Sequence, residues 1–363
     1  MDEREVEDLT SLLPPLVAAL EALGFVARYL NPPQFDQVMA AIGDPETPLR
    51  AGFEALGAWS EGLADVRANL AAACEQMLAA FEALREAQIG GADLRQVYRA
   101  LGRIPRAQEP LYPLAAGLPP VSRYFLEPGR RDDAELIARL ATAPIRDDTG
   151  VGHFDNEPGS RGGFSLYVPE YYTPERSWPL VVALHGGAGN GRSFLWTWLR
   201  AARSQGAILA APTATGETWA LMGPDTDTPN LNRIVDVVRA GWSIDESRLL
   251  LTGMSDGGTF SYVSGLEAGS PFTHLAPIAA AFHPMLAAMA DAERLRGLPI
   301  HIAHGALDWM FSVELAREAQ ALLTRAGARV SYRELEDLSH TYPRELNPEI
   351  LAWMDATPAQ ASS

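Results

Sequence analysis

The chain has 363 residues, 47% of them hydrophobic and 21% charged, and carries a formal net charge of -17. The length exceeds what one hydrophobic core usually organises, and the composition excludes a disordered or fibrous chain. The acidic balance excludes a nucleic-acid partner, because phosphate-backbone binding needs clustered Lys and Arg; it favours solubility instead.

The N-terminus, MDEREVEDLT, is acidic where a secretory signal starts positive. No apolar run is expected to reach the roughly 18 residues of a membrane span, so the expected location is cytoplasmic. From Leu9 to about Ala143 the chain is rich in Ala, Leu and Glu, and Leu63, Val66, Leu70, Cys74, Met77 and Phe81 recur at helical spacing. Pro32, Pro33, Pro45, Pro48 and the prolines of 110–120 divide this half into several helices, and no fixed period points to a solenoid. The expectation is an all-α N-terminal domain over 1–143. Its helices could restrict access to a site in the second domain, or serve as a separate module for homo-oligomer contact or partner binding. The single cysteine, Cys74, excludes an intrachain disulfide and a cysteine-based zinc site, and is expected in the core.

After Pro144 the pattern changes. Residues 146–163 are rich in Gly and Asp without periodicity and read as a linker or surface loop. Short apolar runs follow at 164–168, 179–184, 207–211, 249–252, 275–281, 300–303 and 330–335. Runs that are apolar throughout fit strands buried on both faces of a parallel sheet. The stretches 193–204, 230–242, 259–268, 313–326 and 343–353 are long enough for crossover helices. Alternating strands and helices predict an α/β domain over 144–363, with its chemistry at the carboxyl ends of the strands.

The most specific signal is Gly253-Met254-Ser255-Asp256-Gly257, which follows the strand at 249–252 and opens a helix. A turn this tight strains the serine and needs flanking glycines for the close backbone approach. It leaves the hydroxyl at a helix N-terminus, where the dipole and free amides favour negative charge. A second signal, His185-Gly186-Gly187-Ala188-Gly189, follows the strand at 179–184 and exposes backbone N–H groups. The oxyanion donors are assigned to the amides of Gly187 and Asp256, with Gly186 or Ala188 as alternatives to Gly187. His185 is expected to be a structural hydrogen-bonder of its loop.

A serine needs a base, and histidine suits neutral pH. His340 lies between the last strand and the last helix, and the chain order Ser, acid, His selects it. His274 and His301 read as packing residues within strands, His153 as a solvated linker residue, and His283 and His304 as residues that could line the site but precede the acid. Asp308, in the loop after 300–303, is the expected acid, fixing the histidine tautomer; Asp337 is its rival. Trp219, Phe282 and Trp309 are candidate pocket walls.

These segments resemble the α/β-hydrolase superfamily, and within it the phospholipase/carboxylesterase and dienelactone-hydrolase-like esterases, including the polyhydroxybutyrate-depolymerase-like group. The resemblance spans about 163–353 and rests on GGFSLYVPE, LHGGAGNG, LTGMSDGG, HGALDWMFSVELA and LSHTYPRE in that order. It implies an α/β-hydrolase fold with a mostly parallel sheet, and a serine hydrolase using Ser255, Asp308 and His340 on a small-molecule ester, without metal or organic cofactor. The dienelactone hydrolases use cysteine where this chain has serine, which favours simple esters. No long insertion lies between 281 and 300, where many lipases carry a lid. An amidase or peptidase with the same triad, and a non-catalytic interaction protein on a hydrolase scaffold, are the alternatives.

Overall fold

The computed structural model describes residues 2–91 and 93–357. Its contacts separate two units, which divide between Asp133 and Ala134.

The first unit is helical: α1 (Glu3–Tyr29), α2 (Phe35–Ile42), α3 (Glu46–Ala55), α4 (Ala64–Ile89), α5 (Leu94–Leu101), α6 (Arg103–Leu111) and α7 (Pro119–Tyr124). Asp2 and Glu5 start α1 as a reciprocal capping box, each carboxylate accepting from the other's backbone N–H. Leu9, Leu12, Leu13, Leu16, Leu20, Leu23 and Val26 then form a buried stripe at helical spacing, and α2, α3, α4, α6 and α7 pack on α1. Alanines and leucines also lie off that stripe, so one 18-residue window of α1 reaches a mean hydropathy of 1.7, with 44% of it buried. This corrects the expectation that no run is long and apolar enough to span a membrane; a core helix passes the same test. In α4, Leu70, Cys74, Met77 and Phe81 are buried as their spacing predicts, whereas Leu63 and Val66 are half-buried where the helix begins.

The second unit begins with α8 (Ala134–Ala141), so the division falls one helix ahead of the expected 143/144. The guanidinium of Arg139 on α8 lies 4.9 Å over the ring of Tyr171, a contact within this unit. The strands are β1 (Gly150–Phe154), β2 (Phe164–Val168), β3 (Trp178–Leu184), β4 (Ile208–Pro212), β5 (Ile244–Met254), β6 (His274–Ile278), β7 (Pro299–Gly305) and β8 (Arg329–Leu335). Between and after them run α9 (Gly191–Gln205), α10 (Asp227–Gly241), α11 (Asp256–Gly265), α12 (Pro284–Met289), α13 (Ala292–Leu295), α14 (Val313–Arg325) and α15 (Asn347–Ala356).

The sheet order is β1-β2-β4-β3-β5-β6-β7-β8, with β1/β2 and β2/β4 antiparallel and the rest parallel: an α/β-hydrolase fold. The inner strands β4, β6 and β7 are buried at every residue, which is why they read as unbroken apolar runs. The edge strand β8, RVSYREL, carries charged residues facing solvent. Two expectations are corrected. The linker at 146–163 contains β1, which pairs from Gly150↔Val168 to Phe154↔Phe164; its sequence, GVGHF, shows no alternation because the pairing comes from β2. The run at 275–281 ends as a strand at Ile278, because Ala279 turns the chain at φ +47°.

His274 and His301 are buried in the sheet, and both rings pack on Trp353 of α15. Among the described residues, neither ring nitrogen of His301 has a hydrogen-bond partner. Burial, with a smaller contribution from Arg333, pushes the His301 imidazole down from 6.5 to about 4. The unfolded chain therefore binds this proton at a higher pH than the folded one. Stability is complete above about pH 6.5 and falls as pH drops toward 4. His301→Leu should flatten that decline by about 1.4 kcal/mol per pH unit, one proton's slope, in urea melts across this window; an unchanged slope would show that the imidazole is not held neutral by folding.

Candidate active site

β5 delivers the chain to Ser255, and α11 begins at the next residue. Ser255 sits at φ +56° and ψ -119°, a strained conformation that costs about 1–3 kcal/mol for a residue with a side chain. The amide of Ser255 donates to the Ile278 carbonyl at 3.0 Å, which pins the turn to β6. A Cβ on Gly253 would lie 2.5 Å from the backbone of Gly257, and a Cβ on Gly257 would lie 2.4 Å from the His185 carbonyl oxygen. The two glycines of the motif are thus required by contact distance, and the positive φ of the turn falls on Ser255 itself.

Three side chains remote in sequence meet here. The Ser255 hydroxyl and His340 Nε2 are 3.0 Å apart, and His340 Nδ1 is 2.8 Å from Asp308 Oδ2. An ionised carboxylate only accepts, so Nδ1 carries the proton and Nε2 presents its lone pair to the hydroxyl. Asp308 Oδ1 accepts from the amides of Met310 and Phe311 at 2.9 and 2.8 Å. Burial alone would raise the Asp308 pKa, but hydrogen bonds from His304, His340 and the Phe311 amide overcome it and hold the carboxyl well below the usual carboxylate range. The rival, Asp337, is exposed, and His340 takes Asp308 instead. The rings of Phe311 and Trp309 stand edge-on to His340, with centroids 5.3 and 6.2 Å away.

The loop after β3 packs against this turn. A Cβ on Gly186 would touch Ser255 Cβ at 3.6 Å, and one on Gly187 would lie 2.8 Å from Asp256 Oδ2. The Gly187 amide has no acceptor among the hydrogen bonds of the described residues. That of Asp256 opens α11, where a helix's first N–H groups lack intrahelical acceptors. The Asp256 carboxylate accepts from the Thr218 hydroxyl at 2.6 Å. Two free amides beside the serine, at a helix N-terminus, suit an anionic oxygen.

His185 is buried and held neutral: desolvation moves its pKa from 6.5 down to about 4. Its Nδ1–H donates to the Gly186 carbonyl at 2.7 Å, and its Nε2 accepts from the Ala214 amide at 3.1 Å. Trp219 donates to the His185 carbonyl at 2.7 Å and stacks on Phe260 at 5.5 Å. Trp219 is therefore buried support for the glycine loop rather than the pocket wall it was expected to be. Phe282 is likewise buried, edge-on to Tyr262, because the chain turns inward after Ala279. Trp309 alone of the three expected walls is open to solvent, 45% exposed. His153, expected as a solvated residue, faces the Ser165 hydroxyl at 2.7 Å on β1. His283 caps α12. Among the described residues, no three His, Cys, Asp or Glu side chains gather into a metal-binding group.

Sequence reasoning did not find the part played by Asp227. Its buried carboxylate accepts from the amides of Thr215 and Ala220, both at 2.8 Å, and so closes the loop that carries Thr218 and Trp219. The available signal was an Asp at the start of a helix after a long loop.

Residues 225–354 match the model of the phospholipase/carboxylesterase family. The chain is 33% identical over 151 residues to a probable feruloyl esterase C of Aspergillus terreus, covering 38% of this chain and 54% of that one. It is 25% identical over 202 residues to a bifunctional acetylxylan esterase/xylanase of Neocallimastix patriciarum, covering 54% of this chain and 28% of that one. The chain thus spans about half, or less, of the length of these relatives. A solved thermostable esterase superposes with a TM-score of 0.48 at 22% identity, over 58% of this chain and 64% of its own.

The contact distances at the serine turn make a direct prediction. In Gly257→Ala the added methyl would meet backbone oxygens of Leu184 and His185 that cannot swing aside. Denaturant melts should show a loss of about 1–3 kcal/mol, whereas Gly269→Ala, with open space around its Cβ, should change stability by less than about 0.5 kcal/mol. Equal stability of the two variants would remove the steric account of the turn.

Proposed function

We propose that this chain, whose second unit has the α/β-hydrolase fold, cleaves carboxylic esters by two-step acyl transfer on Ser255. The carrying observation is the unbroken hydrogen-bonded line from Ser255 Oγ through His340 to Asp308, at 3.0 and 2.8 Å. Its members come from the ends of three different strands.

The geometry supplies each step. His340 Nε2 takes the hydroxyl proton as Ser255 Oγ attacks the ester carbonyl. Asp308 stays ionised beside the imidazolium, because the hydrogen bonds it accepts hold its pKa down. The amides of Gly187 and Asp256 receive the charge on the carbonyl oxygen. His340 then returns the proton to the departing alcohol, leaving the acyl group on Ser255. Water deprotonated by the same nitrogen releases the acid and restores the serine.

The similarity of 225–354 to the phospholipase/carboxylesterases, and of longer stretches to proteins named as feruloyl and acetylxylan esterases, supports an ester as the substrate. The exposed ring of Trp309 beside His340 offers an apolar contact for one side of a small ester. A panel of esters, thioesters and amides would rank the substrates. Ser255→Ala should lower turnover of p-nitrophenyl acetate by at least about 10³-fold with an unchanged circular dichroism spectrum. Turnover within a few-fold of the parent protein would end the proposal.

A further inference from the structure

His304 is the second-to-last residue of β7, next to Gly305, and is fully buried. Its Nε2 lies 2.9 Å from the Phe311 carbonyl oxygen and 3.3 Å from Asp308 Oδ2. Both neighbours only accept, so Nε2 carries the proton and its N–H is shared between them. Among the described residues Nδ1 has no partner, so the polar function of this ring there is that one donor. Two more groups face the pair. On β8, Glu334 pairs in register with His304 and binds Arg317 and Tyr332, and His340 lies on the far side of Asp308.

The shared N–H ties together the two residues that frame the base. Asp308 Oδ2 is the atom that meets His340 Nδ1, and the Phe311 ring stands at 90° to the His340 ring, 5.3 Å away. Asp308 Oδ1 already holds the amides of Met310 and Phe311. The His304 donor completes a closed turn from 308 to 311, fixing the direction in which Oδ2 points.

We propose that His304 is a positioning residue for the acid–base pair: its single N–H aims Asp308 at His340 and sets how strongly that carboxylate holds the imidazolium. This rests on the acyl-transfer reading above. A carboxylate that loses one donor becomes a better acceptor for those that remain, so loss of the His304 N–H should move the acid limb of the reaction at Ser255 to higher pH. Glutamine places an amide N–H at about the reach of Nε2, whereas leucine fills similar space without a donor.

The test uses a fluorophosphonate probe, which needs no knowledge of the substrate. The rate of labelling at Ser255 is measured across pH 5–9 for the parent protein, His304→Leu and His304→Gln, each with a thermal melt to confirm folding. His304→Leu should label about 10- to 100-fold more slowly, with the acid limb of its profile moved to higher pH. His304→Gln should recover most of the rate and the parent profile. Labelling of His304→Leu at the parent rate, an acid limb that stays or moves down, or equal loss in a folded His304→Gln, each overturns the proposal while leaving the acyl-transfer reading intact. Failure of the parent protein to label overturns the reading and the proposal together. If His304→Leu does not fold, the comparison of His304→Gln with the parent protein decides.

Discussion

The site depends on one steric constraint: β5 must turn into α11 within a single residue. Met254 is the last residue of the strand and Asp256 the first of the helix, so Ser255 alone carries the reversal, at φ +56°. Such a turn brings Gly253 against Gly257, and Gly257 against the end of β3, at distances where a methyl group would overlap backbone. The strain is offset by the burial of the flanking strands and by the tie from the Ser255 amide to β6. In return the hydroxyl stands clear of the sheet, beside free amides of the helix start and of the glycine loop.

A second dependence runs through the Asp308 carboxylate. Removed from water, it would be costly as an isolated charge, yet amides accepted at one oxygen and imidazole donors facing the other keep it ionised. In the proposed reaction, an acid held in this way orients His340 without competing for its proton. The glycine loop has its own support in His185, Trp219 and Asp227, whose hydrogen bonds among the described residues go to backbone. The polar side chains under the strand ends are thus mostly engaged in holding backbone, and the chemistry is left to a few atoms at the rim.

Much of this was legible in the sequence, for physical reasons. Strands buried on both faces are apolar throughout, so PLVVAL and its fellows announced a parallel sheet. G-x-S-x-G between a strand and a helix has few other structural uses; the chain order selected His340 and the loop after 300–303 selected Asp308, and the structure brings both together with Ser255. What escaped detection depends on contacts between distant segments. GVGHF becomes β1 only because β2 offers it a partner. Aromatic residues after strands can face a pocket or the core, and the turn at Ala279 and the His185 carbonyl send Phe282 and Trp219 to the core. α8 shares the Ala- and Leu-rich composition of the first unit, so composition could not assign it to the second. The apolar window of α1 combines a buried leucine stripe with alanines and leucines on its other faces.

The central claim is that the acyl group passes through Ser255 itself. Acid quenching during turnover of p-nitrophenyl acetate, followed by peptide mass spectrometry, reads this directly. The account predicts one acetyl group on the peptide containing Gly253-Met254-Ser255-Asp256-Gly257, located on the serine and lost on further incubation. Turnover with that peptide unmodified, or with the acetyl group on another residue, would contradict it.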